Sequence, residues 1–315
     1  MAKKDPTADA LNSLAGLRDR SEAERRKLIR THLANKSSWV VVKAAKLAGE
    51  SRDEAMIPDL VAAFHRLIAG GGKLDKGCTA LTEIAAALYA LDHRDPEVWF
   101  AGIQHVQMEG SFGPPADTAV QLRSHSAMGL AQTHHPGAAI AIVKLLADPE
   151  PGARSGAARA LASLSGVGVG DAASLLLRFK VLIGDRETDV IAECFAGLLA
   201  IDAEVSLDFV AEYADSSDPE ISEAAIMALG ACRSPAAIEW LKEKWGRTVA
   251  GPIRKTLLLA LAAARQEAAI EFLLKLLAEE NPASAKDVLE ALRILQHDER
   301  IWMRVTEILE QRRAP

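Results

Sequence analysis

The sequence predicts an all-α protein, a right-handed α-α superhelix of about eight helical hairpins. Three observations carry that expectation. The 315-residue chain is 49% hydrophobic but only 4% aromatic, with Ala and Leu dominant, and these residues lose little side-chain entropy in a helix. β-branched runs bounded by turn residues are scarce, so no sheet is expected. One helix is also written nearly twice: "LRSHSAMGLA", from Leu122, returns thirty-one residues later as "ARSGAARALA", from Ala153. Self-similarity at a period of 20–50 residues marks a stack of repeated units.

Taken in order, the second helix of each unit is anchored on Trp39, Ala80, Leu122, Ala153, Val190, Ile221, Ile253 and Ser284. Eight residues on, all eight copies read Leu: Leu47, Leu88, Leu130, Leu161, Leu198, Leu229, Leu261 and Leu292. Four residues on, most are small or apolar, as at Ile84, Ala157, Cys194, Ala225 and Leu257. Positions 0, +4 and +8 share one helical face, which makes this the expected buried stripe, with Trp39 in the core. An amphipathic helix precedes each anchor helix, for example "IPDLVAAFHRLI", "PEVWFAGIQHV" and "AAIEFLLKLLA". Such a hairpin cannot bury its apolar face alone, and stacking buries it. Ser21 and Glu24 fit a capping box that opens a helix. "ERIWMRVTEILEQRRAP" reads as a closing helix with Arg312 and Arg313 at its negative end. The expected organisation is a flexible start with a leading helix over 1–20, disordered over 1–6, a repeat array over 21–298 and a capping helix over 299–315.

Five residues before the anchor four copies carry Asp (Asp75, Asp117, Asp148, Asp185), and one residue after it three carry Arg (Arg123, Arg154, Arg254). This unit resembles the HEAT repeat, specifically the short bacterial HEAT-like kind also found in phycobilisome-lyase-type proteins. The resemblance spans about residues 20–297. It implies Asp–Arg ladders between neighbouring repeats, although only Asp117/Arg123 and Asp148/Arg154 keep both halves. The resemblance is specific for fold and carries little about function.

Little in the chain points to catalysis. Cys78, Cys194 and Cys232 lie far apart with no CxxC pair, the pattern of buried thiols in a reducing compartment. There is no stretch of eighteen uncharged apolar residues and no secretory signal at the start, so no membrane contact and a cytoplasmic location are expected. No HExxH or His-Glu dipeptide occurs, which argues against the metal sites of HEAT-type di-iron hydroxylases, and His134–His135 sits in a turn before Pro136. "SGVGVGD" (165–171) follows a helix without a Gly-Lys-Ser/Thr, and "GGGK" (70–73) fails the phosphate-loop spacing. No cofactor is expected. Net charge is −6, divided into +6 over residues 1–52 and −12 beyond. That acidic remainder opposes nucleic acid, and with it a HEAT-like DNA glycosylase. A bilin-lyase-like, ligand-handling role is allowed by the resemblance but has no specific residue behind it.

The expected function is therefore non-catalytic, a platform for a protein partner. In the resembled family the anchor helices line the concave side. Glu83, His125, Met128, Arg159, Glu193 and Met227 then form a mixed polar and apolar binding strip. The links "GGGKLDKG" (70–77) and "EGSFGPPADT" (109–118) are longer than in other copies and belong to neighbouring units. They should meet on one edge, with Lys73, Lys76 and Phe112 as contacts.

Overall fold

Prolines and capping side chains set where the helices begin. Proline occupies the first position of six helices that open at Pro96, Pro151, Pro219, Pro235, Pro252 and Pro282. There its fixed φ suits the helix and its missing N–H costs nothing. Asp95, Asp218 and Asn281 just before three of them accept backbone N–H groups of the first turn. The computed structural model describes residues 6–17, 20–110, 113–164, 170–249 and 251–313.

Two compact units make up the chain, Met1–Ala173 and Ser174–Pro315. The first holds a leading helix α1 (Pro6–Ala15) and four hairpins. These are α2 (Glu22–Leu33) with α3 (Ser38–Ser51), α4 (Ile57–Gly70) with α5 (Thr79–Ala90), α6 (Pro96–Ile103) with α7 (Val120–Gln132), and α8 (Ala138–Leu145) with α9 (Pro151–Ser163). The second unit takes in most of α10 (Gly170–Ile183), which is followed by α11 (Thr188–Ile201). Then come α12 (Ala203–Glu212) with α13 (Pro219–Ala231), α14 (Pro235–Arg247) with α15 (Pro252–Ala264), α16 (Glu267–Glu279) with α17 (Pro282–Leu292), and a closing helix α18 (Glu299–Arg313). The all-α, HEAT-like hairpin architecture is thus as expected. One small departure is an antiparallel ribbon of two residues a side, β1 (Met108–Glu109) with β2 (Ala116–Asp117), inside the α6–α7 link.

The second helices form the spine of each unit: α3, α5, α7 and α9 pack in succession, as do α11, α13, α15 and α17. The leucines at the eighth position after the anchor lie in these seams. From Leu88 to Leu292 all seven are at most 1% exposed. Close approach requires small residues at the crossings. A Cβ on Gly49 would stand 3.0 Å from the Cα of Ala87, and one on Gly156 or Gly230 would collide with Ser124 or with the carbonyl of Ala260.

The first copy departs from the expected register. Val40, Ala44 and Ala48 are fully buried, Leu47 is half-buried and Trp39 is 70% exposed. The buried stripe of α3 therefore starts one residue later than the sequence pattern placed it, and Trp39 is not core.

At the ends, Ser21 and Glu24 form the expected reciprocal capping box. Arg312 acts differently from expectation. Its guanidinium donates to the carbonyls of Leu277, Ala278 and Glu280, so it closes the C-terminus of α16 rather than its own helix. The side chain of Arg313, and residues 1–5 of the expected disordered start, lie outside the described residues.

Candidate functional site

The two long links of the first unit do meet, and a chain of buried and half-buried polar groups joins them. In the first link Gly77 and Cys78 adopt left-handed backbone at φ 77° and 52°. This aims the Gly77 N–H at the second link, where the Glu109 carboxylate accepts it at 2.8 Å. The same Glu109 oxygen accepts the Gln107 side-chain amide at 2.5 Å, and that amide also donates to the Asp75 carbonyl at 2.8 Å. Asp75 is fully buried, and its carboxylate takes the N–H groups of Ala80 and Leu81 at the start of α5.

The far side of the second link is tied down by Arg123, whose side chain is 3% exposed. It donates to Asp117 at 2.6 Å, to both oxygens of Asp148 at 3.0 Å and to the His105 carbonyl at 3.0 Å. Asp117 and Asp148 belong to successive hairpins, so Arg123 is one rung of the ladder that the repeat pattern implied. Burial alone would raise the Asp117 carboxyl. The amides of Ala119 and Gln107 and the Arg123 guanidinium outweigh burial and hold it below the usual carboxylate range. The corresponding Arg154 donates to the carbonyls of Asp148 and Pro149. In the second unit Asp185 pairs at 2.8 Å with Lys180 of the first helix of its hairpin.

Around this node the surface is mixed. Lys73, Lys76 and Leu74 are exposed on the first link, and Val106 and Met108 on the second. An open groove of about 560 Å³ adjoins it, with Arg123 and Asp148 in its lining beside Phe100, Val106, Ile140 and Lys144. Phe112, the third expected contact, lies outside the described residues. Gln107 and Glu109, which hold the links together, escaped the sequence analysis because neither sits at a repeating position.

The expected strip falls into two parts. In the first unit Glu83, His125 and Met128 are half-buried and Arg159 is exposed, on the successive helices α5, α7 and α9. In the second, Glu193 and Met227 are half-buried on the packed pair α11 and α13. Trp39, which the sequence pattern had assigned to the core, forms with Lys43 and Lys46, one and two turns further along α3, an exposed aromatic and basic stripe.

Burial pushes the thiols of Cys78 and Cys194 up to about 12, and it also raises Cys232, which is half-buried. At neutral pH all three are neutral thiols and poor nucleophiles. Among the described residues no group of three or more His, Cys, Asp or Glu could hold a metal ion. Among the described residues no helix is long and apolar enough to cross a membrane. His135 accepts the Gly137 N–H and packs edge-on against Phe100, a structural task in the α7–α8 turn. The glycine-rich stretch "SGVGVGD" has residues 165–169 outside the described set.

A family model of HEAT repeats matches residues 177–262. This stretch carries HEAT repeats. The hairpins around it repeat the same two-helix unit with the same leucine seam, so the fold of the chain is HEAT-like. No curated relative matches it. Among solved structures, the CpcE–CpcF complex of phycocyanin lyase from Nostoc sp. PCC7120 is similar at 16% identity and TM-score 0.39, over 91% of this chain and 94% of that one. An engineered protein is similar at 18% identity and TM-score 0.42, over 98% and 96%. Human deoxyhypusine hydroxylase in complex with glycerol is similar at 16% identity and TM-score 0.29, over 93% and 92%. With TM-scores this low, the assignment rests on the repeat pattern and the family match.

Proposed function

We propose that the chain is a non-catalytic scaffold that binds a protein partner through the joined links of its first unit. The carrying observation is the Asp75–Gln107–Glu109–Gly77 connection, which fixes two long links to each other and to the ladder at Arg123. Long surface links cost little stability when left loose. Fixing them with hydrogen-bonded polar groups pre-organises the exposed Lys73, Lys76, Val106 and Met108, and pre-organisation lowers the entropic cost of binding. A surface of lysines beside apolar side chains and a groove suits a protein carrying an acidic and apolar segment. The inner-helix residues Glu83, His125, Met128 and Arg159, and Glu193 with Met227 in the second unit, are proposed as a further contact strip. The HEAT repeats of the second unit are in keeping with an interaction role.

Removing the links whole would remove Asp75, Glu109 and Asp117, and with them the fold of the node. The test is therefore the double reversal Lys73→Glu/Lys76→Glu in the full chain. Retention of the partner captured from native lysate should fall at least tenfold with an unchanged melting temperature. Unchanged retention would count against the links.

A second reading is a nucleic-acid strand on Trp39, Lys43 and Lys46, supported by the exposed indole beside two lysines. Lys43→Glu/Lys46→Glu separates it: loss of fluorescence-detected oligonucleotide binding supports this reading, and absence of any such binding in the wild type removes it.

A further inference from the structure

Helix α10 is apolar on two faces, and only one of them is used. Leu177 and Val181 are buried against the unit at 0% and 5% exposure. Leu175, Phe179 and Leu182 recur at spacings of four and three, and they stand 60–68% exposed, with Ile183 beside Leu182 at 61% and Val205 of α12 at 67%. The stretch "SLLLRFKVLI" (174–183) holds two cations, and both are engaged by neighbouring groups. Lys180 pairs with Asp185, while Arg178 donates to the Val205 carbonyl and to Ser206 and lies 4.6 Å from the centre of the Phe209 ring. A helix that is apolar nearly all round belongs in an interior.

We propose that the Leu175–Phe179–Leu182 stripe pairs two copies of this chain, α10 against α10 of the second copy, about a two-fold axis. Two arguments favour a second copy over a different protein. A two-fold contact presents the same patch from both sides, so it must be complementary to itself. The side chains of the stripe itself, Leu175, Phe179 and Leu182, are uncharged and meet that condition without like-charge repulsion. Exposed charges nearby in sequence, Glu204 and Asp208 on α12 and Arg186 after α10, are of both signs and do not select a partner of one charge. The area is also of the right order. Five large side chains exposed at this level offer roughly 100 Å² each, so a pair of copies buries about 1,000 Å², the lower bound for a specific interface. The spacing of three and four is that of a short antiparallel helix seam, with each apolar side chain seated between those of the other copy. The expected association is accordingly reversible and concentration-dependent.

Sedimentation velocity of the full chain from 1 to 200 μM is the test. The weight-average mass should rise from one chain toward two, and Leu175→Glu/Phe179→Glu should remain monomeric throughout with an unchanged helical spectrum. Should that double variant misfold, Phe179→Cys in the otherwise intact chain provides the second measurement. Its exposed thiol should give a cross-linked dimer with a short bismaleimide, and the yield should fall when unlabelled wild type is added in excess. A wild type that is monomeric at 200 μM would overturn the proposal. So would dimers that persist in Leu175→Glu/Phe179→Glu.

Discussion

Replacing Arg123 by Leu should be among the most damaging single changes in the first unit. The guanidinium is 3% exposed and holds two carboxylates, Asp117 and Asp148, whose side chains are 6% and 12% exposed. Leu keeps much of the stem volume but leaves two buried negative charges facing each other, and breaking a buried pair from one side costs about 3–5 kcal/mol. In a unit of 173 residues that corresponds to a fall of about 10 °C in melting temperature. Urea unfolding followed by far-UV circular dichroism measures it. Neutralising the stranded partners with Asp117→Asn and Asp148→Asn on the same background should recover about half of the loss. The pH dependence gives an independent check. A carboxyl held below its unfolded value, as Asp117 is, contributes stability that is present above about pH 4 and lost as pH falls through its folded pKa. In Arg123→Leu the cation is gone but the Ala119 and Gln107 amides remain, so Asp117 is held down less than in the wild type. The variant therefore loses less stability on acidification through the carboxylate range, and its deficit against wild type narrows as pH falls below about 4. A loss under about 1 kcal/mol, or no rescue by the two Asn changes, would refute the argument that this rung ties the hairpins together.

Three further outcomes follow from individual contacts. A Cβ on Gly129 would meet the ring of the buried Trp99 at 2.5 Å, so Gly129→Ala should cost about 1–3 kcal/mol in urea melts despite improving helix propensity. Trp39→Phe should shift stability by less than about 0.5 kcal/mol while Trp99→Ala costs about 3–5, and acrylamide should quench the Trp39 share of the fluorescence first. With Cys78 and Cys194 buried and raised to about 12, at most Cys232 should react with a thiol reagent in native protein at pH 8, and all three should react in denaturant.

The repeating part of the fold was legible because its physics is periodic. A leucine every eighth position after an anchor states which face is buried, and the structure buries it from Leu88 to Leu292. The first copy misled because Trp39 has the size of a core residue, and sequence alone does not say that Val40, one place on, carries the stripe. The touching of the two links was legible from topology, since neighbouring hairpins bring equivalent links to one edge. What joins them was not: Gln107 and Glu109 are polar residues of the α6–α7 link whose partners, Asp75 and Gly77, lie about thirty positions away. The apolar stripe of α10 was written in "SLLLRFKVLI", but a repeat pattern directs attention to the face each helix turns inward and says nothing of a second face.

The central claim, that the joined links form a partner-binding surface, is tested most directly by comparing wild type with Lys73→Glu/Lys76→Glu on immobilised full chain against the captured partner. The account predicts at least a tenfold loss of affinity with melting temperature unchanged, and a smaller effect for Glu83→Lys/Glu193→Lys. Equal affinity of the wild type and the link variant would contradict it.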